Sequence, residues 1–277
     1  ALKNSFVIAC MTTVGSVIVG TFFAWLVTRT DLPYKTFMKS LFLVPFMLPS
    51  FIGALAWKML LSPHSGYINK MWMDLFNTTE PLFNIYSYAG IALVEVMYLF
   101  PFVFIQVCGA LERMDPTLEE SARISGAGLL TITRKITIPL VMPSIMSGAL
   151  LIMLYSMAHF GTVAVLGIEQ GIYNIPTLIY EKIHQSAGSF ASIRTGTVLA
   201  TVLIASAALI IWTQQKILSK GHYQIIGGKS FRPMELKLRG LRYPLLFFCL
   251  AYIGFTIVLP TVVIFLVGGV QTYGLSI

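Results

Sequence analysis

Apolar residues run along this chain in long, nearly uninterrupted blocks separated by short polar stretches, and they show no narrow amphipathic stripe. A hydrocarbon core of ~30 Å requires about 20 consecutive apolar residues in a helix. Six blocks meet that length, at 5–28, 37–61, 88–111, 140–167, 195–218 and 243–270. The first, fifth and sixth are the cleanest. The second contains Pro45, Pro49 and Lys58 and is expected to be kinked or displaced, because proline removes a backbone donor that neighbouring helices must offset. The fourth contains Pro143 beside the small residues Ser144, Ser147, Gly148 and Ala149, which let helix backbones approach closely. The pattern therefore predicts an all-α, polytopic transmembrane helical bundle.

Composition agrees with this reading. Of 277 residues, 56% are hydrophobic and 11% charged, and the mean hydropathy is +0.80. A soluble domain carries about 25% charged residues. Charge this sparse cannot cover a water-facing surface of that size. The net charge of +8 does not point to nucleic acid, because its cations lie between apolar blocks and form no continuous stripe with interleaved aromatics. Their placement gives orientation instead. Fourteen Lys and Arg follow the first, third and fifth blocks, and five at most lie on the other side if Lys58 is counted there. The positive-inside rule puts the fourteen in the cytoplasm and residue 1 outside. The chain shows no signal peptide or initiator Met and stops just after an apolar block. It is expected to be a piece lacking at least one preceding helix and continuing beyond Ile277. Residues 219–242 hold Gly227, Gly228 and seven charged residues. They read as a cytoplasmic linker between a first transmembrane domain (1–218) and the first helix of a further set (243–277).

Cys10, Cys108 and Cys249 all sit in apolar blocks and are read as buried small hydrophobes rather than disulfide partners or metal ligands. Glu95, Gln106 and His159 are polar groups inside apolar spans, where they are expensive and face the bundle interior. They are candidates for a translocation path, with Tyr155 and Ser156 sharing the cavity of His159. A structural hydrogen bond to a neighbouring helix is the plainer reading for Glu95, and a satisfied packing histidine for His159. Lys58, near the end of its block, can snorkel to the interface. No spacing forms a metal-ligand set or a catalytic triad, and no phosphate-binding loop is present. No cofactor is expected, and ATP hydrolysis, if used, must lie on another chain.

The most informative loop is 113–139, RMDPTLEESARISGAGLLTITRKITIP. Asp115 followed by Pro116 is a helix start. Residues 117–124 can make two turns, and Gly126 is a natural stop. The loop predicts a short surface helix, a turn, and a second helix leading into the fourth block. The plain physical alternative is a solvated connector carrying Glu119, Glu120 and Arg123.

Glu120-Ser121-Ala122, three residues, Gly126, nine residues, Ile136, one residue, then Ile138-Pro139 resembles the signature loop of binding-protein-dependent ABC importer permeases of type I. That pattern reads Glu-Ala-Ala, three residues, Gly, nine residues, Ile, one residue, Leu-Pro. Ser121 and Ile138 depart from it by modest changes in size. The resemblance extends through 143–148 and to His159-Phe160-Gly161 and covers most of the chain. It implies a multi-pass protein of the bacterial plasma (inner) membrane. In such a protein Glu119, Glu120, Ser121, Ala122, Gly126, Ile136 and Pro139 form or support a coupling helix docked on a cytoplasmic ATPase dimer. An extracytoplasmic substrate-binding protein delivers the solute, and a second permease half completes the path. Glu120 would hold the docking geometry, Gly126 the turn, and Ile136 and Pro139 the return into the membrane.

Residues 159–183 resemble ferric-iron permeases, in which two halves are fused in one chain. Ferric iron is therefore the expected solute, ahead of thiamine, polyamines, sulfate or phosphonate. A secondary transporter or channel using Glu95 and His159 as coupling groups, and an intramembrane enzyme, are the readings from other classes. Neither needs a docking helix with this spacing.

Overall fold

The structure, a computed structural model, describes residues 1–115, 117–185, 190–220 and 236–268. Every regular element among them is helical. Helix α1 (Leu2–Arg29) runs without a break through the first apolar block. The second block gives α2 (Lys35–Leu41), α3 (Val44–Met47) and α4 (Ser50–Leu61), and the chain turns by 87° between α3 and α4. Pro49 is the cause. Leu48 is extended (φ −89°, ψ 132°), the conformation that a following proline enforces. The expected kink is thus a true break.

An outer helix, α5 (Tyr67–Phe76), leads to α6 (Tyr88–Arg113), the most deeply buried span. The buried Asn69 fastens α5 by donating to the carbonyls of Leu61, Ser62 and Phe83 and accepting from the Phe83 N–H. Beyond the loop helix α7 (Thr117–Ile124), the short α8 (Leu129–Ile132) and a π turn (Thr133–Thr137) feed α9 (Ile138–Ala158). The fourth block does not run to 167 as one helix, because it is interrupted at His159-Phe160 before α10 (Gly161–Leu166). Then follow α11 (Ile175–Gln185), α12 (Phe190–Lys220), α13 (Arg242–Ile253), a second π turn (Gly254–Val258) and α14 (Leu259–Gly268).

Among the described residues five helical stretches are long and apolar enough to cross a membrane, or six if the bent α2–α4 counts as one span. They fall on the six blocks. Much of the expected linker, 221–235, lies outside the described residues.

The centre is a three-helix bundle of α1, α6 and α9. Lipid offers no hydrophobic drive between helices, so close backbone approach must supply the contact. Two glycines on opposite helices do so against Val103. A Cβ at Gly20 would stand 2.9 Å from Val103 Cβ and 2.8 Å from the Phe100 carbonyl, and one at Gly148 would stand 2.9 Å from Val103 Cα. Around this contact the apolar side chains form two clusters. One holds Phe23, Phe42, Phe100 and Phe104 with Cys249 and Ile253 of α13. The other holds Trp57, Ile91, Met97 and Leu166 with Val263 of α14. The 239–268 segment therefore packs along the bundle, with Phe255 against Trp57 at 4.6 Å. Cys108 and Cys249 are buried, Cys10 is partly so, and all three are free.

Candidate functional site: the coupling loop and the polar seam

The loop after α6 is shaped at both ends by local sequence. Asp115 accepts a hydrogen bond from the Thr117 N–H at 2.9 Å through Oδ1, the capping role its position predicts. Pro116 lies outside the described residues. Glu119 and Glu120 fall in the first turn of α7, where the helix dipole favours negative charge. At the other end the Gly126 N–H reaches the Arg123 carbonyl (2.9 Å) and the Ala127 N–H reaches the Ala122 carbonyl (3.0 Å). Gly126 has φ +83°. This is a Schellman stop, and its positive φ is what glycine supplies at no steric cost.

Glu119 is the only buried residue of α7. Glu120, Ser121, Arg123 and Ser125 face solvent, together with two large apolar side chains, Leu118 (49% exposed) and Ile124 (88% exposed). Ala122 and Ile136 are half-buried and Pro139 is exposed near the start of α9. The two glutamates that look alike in sequence are thus divided by the fold. Glu120 is offered outward. Glu119 turns in, 3.5 Å from Arg29 Nη1 at the end of α1, and accepts a 2.6 Å hydrogen bond from the Thr137 hydroxyl. At the end of α6 that leads into this loop, Glu112 pairs with Lys39 of α2.

In the sequence Arg29 reads only as a cytoplasmic cation, and nothing there marks out Thr137. Sequence carries one clue to Arg29: it directly follows an apolar block, and a cation so placed must find a carboxylate or reach water.

The polar residues within the spans separate into two groups. Glu95 is fully buried at the α1–α6–α9 contact, where its Oε2 accepts from Thr12 at 2.9 Å and also from Ser156. It ties three helices and reaches no open surface. His159 sits where both interrupted spans meet. Its Nε2 lies 2.8 Å from the hydroxyl of Ser50, the first residue of α4, and 3.2 Å from that of Thr162. The carbonyl of His159, freed by the break, accepts from Asn174 Nδ2 at 2.6 Å. Interrupted helices satisfied in this way are tolerated in a membrane where they line a cavity or are buried in protein.

Tyr155 stacks on His159 with ring centroids 5.4 Å apart and is 45% exposed. A row of rings continues from it through Phe102 to Phe46. Gln106 is half-buried on α6, one turn beyond Phe102. The structure therefore gathers Tyr155 and His159 on one partly open face and separates Glu95 from them. Lys58, expected to snorkel, forms an ion pair with Glu169 and lies over the Tyr86 ring at 5.8 Å. Among the described residues no group of three His, Cys, Asp or Glu is placed to hold a metal ion.

A helical bundle with broken spans and a capped amphipathic loop helix at its cationic end defines a polytopic membrane domain. Residues 16–221 match the family described as "Binding-protein-dependent transport system inner membrane component", and the chain belongs to that family. It is an ABC importer permease of the inner membrane.

Three relatives illustrate its breadth. The chain is 26% identical to the spermidine/putrescine permease PotB of Escherichia coli over 223 residues, 79% of this chain and 78% of that protein. It is 29% identical to the molybdenum permease ModB of Escherichia coli over 196 residues, 70% of this chain and 83% of that one. It is 27% identical to the ferric permease FbpB of Actinobacillus pleuropneumoniae over 248 residues, 88% of this chain and 35% of that one.

Among solved structures, a bacterial alginate ABC transporter in complex with a periplasmic protein superposes with a TM-score of 0.62 at 17% identity, over 79% of this chain and 78% of that one. The MetNI methionine transporter gives 0.55 at 15% identity, over 79% and 93%. At such identities the likeness is one of fold.

Proposed function

We propose that this chain forms one half of the solute path of an ATP-driven importer and couples to a separate cytoplasmic ATPase dimer through α7, with ferric iron as the transported solute. The carrying observation is the division of labour on α7. One side chain anchors it to the bundle, while Leu118, Glu120, Ser121 and Ile124 are presented to a partner. A solvated connector has no reason to expose isoleucine at its tip or to hold a glutamate against a buried arginine. A secondary transporter has no use for the same surface.

Outside the cell, a substrate-binding protein would deliver solute to the face formed by Tyr155, His159 and Gln106. The second half would close that path from the opposite side. That half is read as a fused domain beginning at 243. The stretch similar to the ferric permease is longer than 1–218 and makes up only about a third of that protein, so both domains are within its reach. The same comparison supports iron. Polyamine is the second reading, favoured by the neutral aromatic row Phe46, Phe102 and Tyr155, whose faces attract organic cations.

Glu120→Lys is expected to release the ATPase subunit from the purified complex while the bundle keeps its elution volume and melting temperature. Proteoliposomes holding the complex, its binding protein and internal ATP should accumulate radioactive ferric iron rather than putrescine or molybdate. Uptake without ATP that follows a proton gradient would overturn the importer reading. Putrescine uptake would replace the solute alone.

A further inference from the structure

Arg29, Glu119 and Thr137 stand 90 and 108 positions apart from the first to the others along the sequence, yet all three are buried together at the cytoplasmic end of the bundle (2%, 7% and 3% exposed). They belong to three different elements: the end of α1, the loop helix α7, and the π turn that starts α9. The two links to Glu119 differ in kind. The Thr137 hydroxyl donates to Oε1 at 2.6 Å, a short bond to a charged acceptor that fixes direction. Arg29 Nη1 lies 3.5 Å from Oε2, outside the range of a charge-assisted hydrogen bond, so its attraction depends little on angle. None of the three guanidinium nitrogens makes a hydrogen bond among the described residues. Glu119 is thus locked to the start of α9 and held to α1 by a contact that allows swivelling.

A fourth element meets the same point. The Leu236 N–H donates to the Arg29 carbonyl at 2.8 Å, the Asp31 N–H donates to the Leu236 carbonyl at 3.1 Å, and the Leu238 N–H donates to Asp31 Oδ1 at 2.8 Å. These bonds fasten the chain that leads into α13 to the backbone of Arg29 itself.

We propose that Arg29–Glu119–Thr137 is the pivot through which movement of α7 reaches the transmembrane helices. In this reading Glu119 carries α7 and α9 as one body, and Arg29 is the bearing on which that body turns against α1 and the segment before α13. The inference rests on the assignment of α7 as the ATPase-docking helix. It gives Glu119 and Arg29 a positioning role distinct from docking by Glu120. A buried carboxylate used only to stabilise the fold would need no loosely held arginine from another span and no shared attachment to the next segment.

The test uses the full-length chain assembled with its ATPase and binding protein in lipid nanodiscs. Variants are Glu119→Gln, which keeps shape and the Thr137 bond but removes the charge, Arg29→Met, and the double variant. Two quantities are read: the ATPase retained on purification, and the stimulation of ATP hydrolysis by the binding protein. Each single variant is expected to retain its ATPase while stimulation falls about fivefold or more, the scale of coupling between distant sites. The double variant is expected to be no worse than either single, since both remove the same contact.

Should Arg29→Met fail to fold, Arg29→Lys keeps the charge with a shorter reach and is expected to lower stimulation with the ATPase still bound. Unchanged stimulation, or a fall matched by equal loss of bound ATPase, would overturn the pivot. If the unsubstituted chain itself retains no ATPase, the docking assignment fails and the pivot fails with it.

Discussion

Glu95 is a single ionisable residue that the sequence reads in two ways. A carboxylate in an apolar span marks either a conduction path or a structural bond. Here both bonds go to hydroxyls on neighbouring helices, Thr12 of α1 and Ser156 of α9, and the residue is fully buried. Both contacts ask Glu95 for an acceptor oxygen, Oε2. Glu95→Gln keeps such an oxygen and is expected to leave thermal stability in detergent nearly unchanged. Glu95→Ala removes both interhelical bonds and leaves a void, at a cost of about 1–2 kcal/mol. Melting of the two variants by tryptophan fluorescence checks this. Equal melting temperatures would mean that the bonds contribute nothing, and a severe transport defect in the stable Glu95→Gln variant would return Glu95 to the path.

The spans were legible as elements because lipid imposes a length, and six apolar blocks of that length left little freedom. The break at Pro49 was legible because proline acts on the residue before it. The loop helix was legible from its two ends, Asp115 and Gly126. The interruption at His159-Phe160 was not. No proline precedes it, and the groups that stabilise it, Ser50 and Asn174, come from elsewhere in the chain. The Arg29–Glu119 pair was hidden for the same reason: contacts of long sequence separation leave no periodic trace.

Helix packing makes a sharper prediction at this scale. Gly20→Val and Gly148→Val would push a branched side chain into backbone atoms of α6 at 2.8–2.9 Å, atoms that cannot rotate away. Both are expected to abolish a monodisperse bundle on size-exclusion chromatography. Gly109 is a control inside α6, since a Cβ there meets nothing within 4 Å. Gly109→Ala is expected to be neutral or to stabilise by about 0.5–1 kcal/mol, because alanine restricts the unfolded chain. Equal tolerance of all three would show that the α1–α6–α9 approach is looser than contacts of 2.8–2.9 Å require.

At the scale of the whole molecule, the two ends of the bundle differ in how they handle charge, and this fixes its orientation. One end gathers Arg29, Lys39, Glu112, Arg113 and α7. The other carries few cations, and Lys58, the one that weakened the count in sequence, is matched there by Glu169. Its loop is held instead by neutral bonds through Asn69. The positive-inside rule therefore places α7 in the cytoplasm and the loop between α5 and α6 outside. With Cys10, Cys108 and Cys249 replaced by alanine, single cysteines at the exposed positions Ser121 and Thr79 report the two sides. In intact spheroplasts a membrane-impermeant maleimide should label Thr79→Cys at once and Ser121→Cys only after permeabilisation. The reverse order would put α7 beyond the reach of any cytoplasmic ATPase. The capped helix, its exposed isoleucine and the buried pivot beneath it would then need a partner outside the cell.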